Sequence, residues 1–344
     1  MSPPAQGRPS LGKFGNRPST TSLGSTYISD VTLTTSLGSA YMSDVTLTTS
    51  EVVEIQQNLD QNKAMGPDQL LARILRVTAE VIAPSFTDLF NKSLRLGTFP
   101  EDWKLANVVP AYKKDKKDQV ENYRPISLLP IVSKVLERCI FNNIKDHVLS
   151  LITKCQHGFI VGRSCVTQLV GVLDQSGAYI DNGGQVDIIY LDMSKAFDKV
   201  SHHKLLQKVR QYGFGGKLLS WLKSYLCNRT QRVIAVGATS KTLPVTSRVP
   251  QSAPECPECP RVPQSASECP RVPQSAPRVP PECPRVPQGS ILGRMLFLLY
   301  ANSLPDVVHS SQIATFADDT KIFKAIKSPC DSIDLQEDLS NLVS

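Results

Sequence analysis

From Arg248 to Pro284 the chain iterates two short units, Arg-Val-Pro-Gln-Ser and Glu-Cys-Pro. Proline at this density removes backbone donors and fixes φ, so neither a helix nor a central strand can form there. Each partial copy resembles Arg285-Val-Pro-Gln-Gly289. The stretch therefore reads as a tandem expansion, extruded as a polyproline-like or disordered loop. Any core must be assembled from the segments on either side. Lengthening a loop from about 6 to about 40 residues costs under roughly 2 kcal/mol of closure entropy, so those segments can still belong to one fold. With 344 residues and 41% hydrophobic content, the chain can bury a substantial core and has room for two domains.

Residues 1–20 are rich in Pro, Ser and Gly without an apolar period, the composition of a disordered segment. Thr21–Thr34 is nearly copied as Thr35–Thr48, a local duplication too short for a solenoid. Residues 1–49 are thus expected to form a disordered N-terminal segment. The folded domain is expected over 50–344, with 248–284 as an insertion.

Ser50 reads as an N-cap, with Glu51 and Glu54 in the first turn and Val52, Ile55 and Leu59 on one face. Gly66-Pro67-Asp68 opens a helix that Pro84 should interrupt and Gly97 should stop. A strand is predicted over 105–112. Helices are predicted over 131–152, 165–179, 197–212 and 217–226, and a strand pair over 229–236 and 241–245. An apolar helix over 289–306 and an amphipathic helix from Ile333 complete the reading.

Carboxylates gather at two strand ends. Ile313–Ala317 and Lys321–Ala325 have strand character and flank Asp318 and Asp319, which predicts a hairpin whose turn presents both acids. Two adjacent carboxylates repel each other unless a cation lies between them, and a divalent metal with oxygen ligands is the simplest neutraliser. Far upstream, Gly183-Gly184 turns into an apolar strand that ends at Asp192. A carboxylate at the end of a buried strand plus a carboxylate hairpin is a pattern that clamps two metals for phosphoryl transfer.

A net charge of +7 favours an anionic partner, nucleic acid before membrane. Nine cysteines follow no charged-then-apolar leader, so the thiols are expected to be free. The most apolar run, Ile291–Leu304, is too short for a bilayer and contains Arg294. The expected location is intracellular, nucleus or cytoplasm, with no signal peptide or transmembrane segment. Cys256, Cys259, Cys269 and Cys283 belong to the iterated unit and lack the spacing of a zinc site. His202-His203 reads as polar helix surface.

Six strings occur in order: Met65-Gly-Pro-Asp68, Asn122-Tyr-Arg-Pro-Ile-Ser-Leu128, Gln156-His-Gly-Phe159 with Gly162-Arg-Ser164, Tyr190-Leu-Asp-Met-Ser-Lys-Ala-Phe-Asp198, Val286-Pro-Gln-Gly-Ser290 and Phe316-Ala-Asp-Asp319. Together they resemble the reverse transcriptase of non-LTR (LINE-type, jockey-like) retrotransposons, over about residues 50–344. The resemblance implies an α+β right-hand polymerase of fingers and palm, with an antiparallel palm sheet backed by helices. It also implies a missing thumb, since the chain stops at Ser344 ahead of that segment.

The implied activity is RNA-directed DNA polymerisation. The implied partners are an RNA template, a DNA primer or target DNA and deoxynucleoside triphosphates, with no membrane. Asp192 and Asp318 would ligate two Mg²⁺ ions, Mn²⁺ being an admissible substitute, with the Met193 carbonyl assisting and Asp319 nearby. Phe197 matches the aromatic placed under the incoming sugar, where a flat ring leaves no room for a 2′-hydroxyl. Gln288 and Gly289 resemble the lining of the nucleotide pocket, and Arg124 the arginine that contacts the triphosphate.

Lys113, Lys114, Lys116 and Lys117 either hold template phosphates or form a solvated loop. Arg163 either touches the template or is plain surface. Asp198 belongs to the fourth string, but a helix N-terminal acid is the plainer account of it. Arg294, in an otherwise apolar helix, needs a partner or a route to solvent. Two other readings remain: an inactive nucleic-acid-binding remnant, and a palm polymerase with an RNA product, against which Phe197 argues.

Overall fold

Aromatic residues fill the centre of the larger core. Phe99 packs edge-on against Trp103, Trp221 and Tyr225 at centroid distances of 5.9, 5.4 and 5.2 Å. Such pairs add roughly 0.5–1.5 kcal/mol each beyond the area they bury. The indole N–H of Trp221 donates to Ser93 Oγ at 2.9 Å, so its polar atom stays satisfied inside the core. The computed structural model describes residues 42–113, 115–193, 196–245 and 290–343. The duplication up to residue 41, the Pro-rich repeat with its cysteines, Lys114, Gln288 and Gly289 lie outside the described residues.

The elements are α1 (Thr49–Gln57), α2 (Ala72–Val77), α3 (Ala79–Leu96), β1 (Leu105–Tyr112), β2 (Tyr123–Leu128), α4 (Ile131–Leu151) and α5 (Cys165–Ile180). They continue with β3 (Gln185–Leu191), α6 (His202–Gln211), α7 (Gly216–Leu226), β4 (Thr230–Ala235), β5 (Ala238–Thr239) and β6 (Leu243–Pro244). After the repeat come α8 (Ile291–Ala301), β7 (Gln312–Phe316), β8 (Asp319–Ile326) and α9 (Pro329–Val343). The architecture is mixed α/β. Helix α4 shows why its segment folds as it does: Val132, Val135, Leu136, Cys139, Ile140, Ile144 and Val148 repeat at helical spacing and are all buried. They meet α1 and α8, apolar apart from Arg294, in the common core.

Two sheets extend from this core. One has the order β2-β1-β4-β5, with β6 also on β4; β1 pairs antiparallel with β2 and parallel with β4. The other is fully antiparallel, with the order β3-β8-β7. Helix α5 packs on it, burying Val172 against Ala314 and Phe323. Among the described residues no helix is long and apolar enough to cross a membrane.

Several boundaries differ from the sequence reading, each for a physical reason. Helix α1 is capped by Thr48, not Ser50: Thr48 and Glu51 form a reciprocal capping box. Packing also starts before residue 50, since Leu47 is only 2% exposed and Met42 N–H donates to Gly213 O. The helix after Gly66 breaks at Thr78, whose hydroxyl bonds the Ile74 carbonyl, while Pro84 is carried within α3. Gly97 does end α3, in the left-handed conformation at φ 66°.

The predicted helix over 197–212 is two pieces, a 3₁₀ turn Ala196–Lys199 and α6, because Ser201 caps a fresh start. Helix α8 stops at Ala301, short of Asp306. Helix α9 starts at Pro329, where a missing N–H costs nothing. Strand β2 is not among the predicted strands, and it carries Pro125. It pairs with Pro110 across the ladder, and β2 is an edge strand, where a missing donor faces outward. His202 is not surface: it is fully buried, while His203 is exposed.

Candidate active site

The antiparallel sheet brings the distant carboxylates to one end. Strand β3 runs against β8 with Leu191 opposite Thr320, so the next position places Asp192 level with Asp319. Strands β7 and β8 close with Phe316 opposite Asp319, leaving Ala317 and Asp318 as the two-residue turn. Ala317 takes the left-handed conformation at φ 56°, which a tight hairpin needs at its first turn residue. Asp318 therefore sits in the turn and Asp319 on the first residue of β8.

Asp318 is half-buried, whereas Asp192 and Asp319 are exposed. Burial raises the Asp318 pKa above the ordinary carboxylate value, and the charges of Asp319 and Asp192 raise it further. Three acids thus share one electrostatic neighbourhood. Among the described residues, no group of three or more His, Cys, Asp or Glu side chains already has the spacing to hold a metal ion. The oxygen donors nevertheless suit a hard divalent cation. Magnesium is commonly held by one or two carboxylates completed by substrate phosphates, not by an all-protein cage.

Met193 follows Asp192 and packs half-buried against the main core, together with Phe197. Phe197 lies in the 3₁₀ turn, stacked on Phe297 at 4.3 Å and edge-on to Phe159 at 6.1 Å. Asp198 shares that turn. Arg294 is exposed, and its guanidinium lies over the Phe159 ring at 5.3 Å. That is the route to solvent the sequence demanded of it.

Arg124 is exposed on β2, opposite Ala111, on the other sheet from the three acids. The lysine-rich loop is held by its backbone: Asn122 Nδ2 donates to Lys116 O at 2.7 Å and Tyr123 Oη to Lys117 O at 2.8 Å. The heads of Lys113, Lys116 and Lys117 are left at the surface. Arg163 bonds the carbonyls of Lys154 and Gln156, so its guanidinium is engaged within its own loop.

One residue bound to the start of α8 escaped the sequence reading. Glu137 lies on the apolar stripe of α4 and is fully buried. Its Oε2 accepts the N–H groups of Ile291 at 2.8 Å and Leu292 at 3.3 Å, and Ser133 Oγ donates to Oε1 at 3.2 Å. It thus caps the first turn of the helix that follows Gln288 and Gly289. A carboxylate inside an apolar period was the signal available. Gly66 likewise had a reason beyond its turn: a Cβ there would lie 2.6 Å from Leu129 O, so the Met65–Asp68 motif docks directly on the Leu129–Pro130 backbone.

Comparison with known proteins gives a consistent picture. Residues 113–343 match the family described as "Reverse transcriptase (RNA-dependent DNA polymerase)", which is more than half of the chain. The RNA-directed DNA polymerase from mobile element jockey of Drosophila melanogaster is 30% identical over 289 residues, covering 81% of this chain and 27% of that protein. The probable RNA-directed DNA polymerase from transposon X-element of the same fly is 29% identical over 297 residues, covering 84% and 28%. That from transposon BS is 29% identical over 279 residues, covering 78% and 27%. The chain thus spans little more than a quarter of the length of these relatives. The ordered motifs, the carboxylate hairpin beside β3 and the match across residues 113–343 all point the same way, and the chain belongs to the reverse transcriptase family, in its jockey-like, non-LTR branch.

Proposed function

We propose that this chain copies RNA into DNA by transferring deoxynucleotides to a primer 3′-hydroxyl. The three-stranded antiparallel sheet would be the palm and the mixed sheet the fingers. The observation that carries the reading is the meeting of Asp192 and Asp318 at one end of the β3-β8-β7 sheet, with Asp319 alongside. Asp192 and Asp318, with the Met193 carbonyl, would hold divalent ions, Mg²⁺ or Mn²⁺. Such ions lower the pKa of a primer hydroxyl and carry the charge of the departing pyrophosphate.

The chain's own residues supply the rest. Burial raises the Asp318 pKa first, and the neighbouring charges of Asp319 and Asp192 add to it, a repulsion that a bound cation would relieve. Phe197 is braced by Phe297 and Phe159, and its flat ring would exclude a 2′-hydroxyl from the incoming sugar. Arg124 would meet the triphosphate from the fingers sheet, its planar fork matching phosphate oxygens. The exposed lysines at 113, 116 and 117 suit the template backbone. Gln288 and Gly289 would line the nucleotide pocket, as their motif suggests.

Primer extension on an RNA template with Mg²⁺ tests this, comparing deoxy- with ribonucleotides. Deoxynucleotide incorporation that disappears in Asp318→Ala is the expected result. Template binding without extension would establish the inactive-remnant reading instead.

A further inference from the structure

Within the Gln156-His-Gly-Phe159 motif only Phe159 enters the function proposed above, yet Gln156 and Gly158 are in contact with the turn that carries Asp318. Strand β7 is the edge of its sheet, and residues 155–157 run parallel along it. Thr315 N–H donates to Cys155 O at 2.9 Å, and His157 N–H donates to Thr315 O at 2.8 Å. Between them the Gln156 side chain turns inward and is 5% exposed. Its Oε1 accepts from Ala317 N–H at 2.8 Å and from Gly158 N–H at 2.7 Å. Its Nε2 donates to Ala317 O at 3.3 Å. One amide therefore satisfies both backbone groups of Ala317, the residue that adopts φ 56° and immediately precedes Asp318.

Gly158 closes the contact from the other side. A Cβ at that position would lie 2.2 Å from Ala317 N and 2.8 Å from Ala317 Cα, closer than any side chain can approach. Arg163 holds the clamp in place from its own loop by donating to Lys154 O and Gln156 O.

We infer that Gln156 is a positioning residue: its amide, seated by the close approach of Gly158, fixes the turn that aims Asp318 and Asp319. The inference rests on the function proposed above and adds to it a residue that touches neither substrate nor metal. A glutamine is required because the turn offers both a donor and an acceptor. Leucine offers neither, and glutamate keeps only the acceptor while adding a fourth negative charge. Groups that orient metal-binding carboxylates typically matter by about 10- to 100-fold in affinity or rate when removed.

The test compares wild type, Gln156→Leu, Gln156→Glu, Gly158→Ala and Asp318→Asn. Three readouts are taken: Mn²⁺ binding by electron paramagnetic resonance, single-nucleotide extension of an RNA-templated primer, and melting temperature. Gln156→Leu should weaken Mn²⁺ binding and lower kcat by about 10- to 100-fold, with the KM for primer–template within about twofold and a lowered melting point, because two buried N–H groups lose their acceptor. Gly158→Ala should do the same by pushing the turn away while leaving the amide intact.

If Gln156→Leu or Gly158→Ala melts early, a purely structural role predicts recovery of Mn²⁺ binding and kcat at lower temperature, and that recovery would overturn the inference. Wild-type behaviour in Gln156→Leu beside a dead Asp318→Asn would overturn it while leaving the polymerase reading intact. A wild-type chain with neither Mn²⁺ binding nor extension would overturn both.

Discussion

Replacing Glu137 with alanine should destabilise the fold by about 3–5 kcal/mol. The magnitude follows from what the carboxyl holds. Ile291 N–H at 2.8 Å and Leu292 N–H at 3.3 Å would lose their acceptor at a buried helix start, and an orphaned buried donor costs roughly 1–3 kcal/mol. Burial raises the Glu137 pKa and the charge of Arg229 opposes that shift, while the two orphaned donors share one acceptor, so their losses overlap and do not simply sum. Glu137→Gln keeps the volume and an acceptor oxygen and should cost about 1–3 kcal/mol. Urea unfolding with an unchanged m value measures both differences. A Glu137→Ala chain within about 1 kcal/mol of wild type would refute the idea that this side chain anchors α8.

Three further outcomes are expected. His202 has its pKa lowered to about 4 by burial and by Arg229, against the ordinary 6.5. The unfolded chain therefore takes up the proton first as pH falls, and stability present above about pH 6.5 is lost towards pH 4, by roughly 3 kcal/mol. Urea midpoints should show that loss in wild type and a smaller one in His202→Leu; equal losses would exclude His202 as the source. Asp338 accepts the N–H groups of His309, Ser310 and Ser311 at 2.8, 3.0 and 2.7 Å, so Asp338→Ala should cost about 2–4 kcal/mol. Amide exchange should then quicken at residues 309–311, ahead of β7, and unchanged protection there would count against the clasp. Phe197→Val should raise ribonucleotide over deoxynucleotide incorporation by on the order of tenfold, and unaltered selectivity would return Phe197 to a packing role.

How much of this was legible depended on whether the signal was local. The strands that carry the acids were readable, because apolar runs beside Gly183-Gly184 and around Asp318-Asp319 leave few alternatives. Strand β2 was not, because Pro125 argues against a strand until the edge position and the facing Pro110 are known. The break at Thr78 was hidden behind the louder Pro84, since a hydroxyl competing for Ile74 O is a three-dimensional fact. His202 looked like half of an exposed pair, yet the helix turns it inward with Leu205 and Val209. Glu137 and Gln156 are the clearest cases of what sequence withholds. Their partners lie 154 and 161 residues away in the chain, and nothing in either neighbourhood names them.

The central claim is that Asp192 and Asp318 act as one unit, and single-turnover incorporation of one deoxynucleotide on an RNA template measures it most directly. Asp192→Asn and Asp318→Asn should each reduce the rate by on the order of a thousandfold or more, and the double variant should fall no further than the worse single, because groups serving one centre are not additive. Additive losses, or a full rate in either single variant with primer–template still bound, would contradict the account.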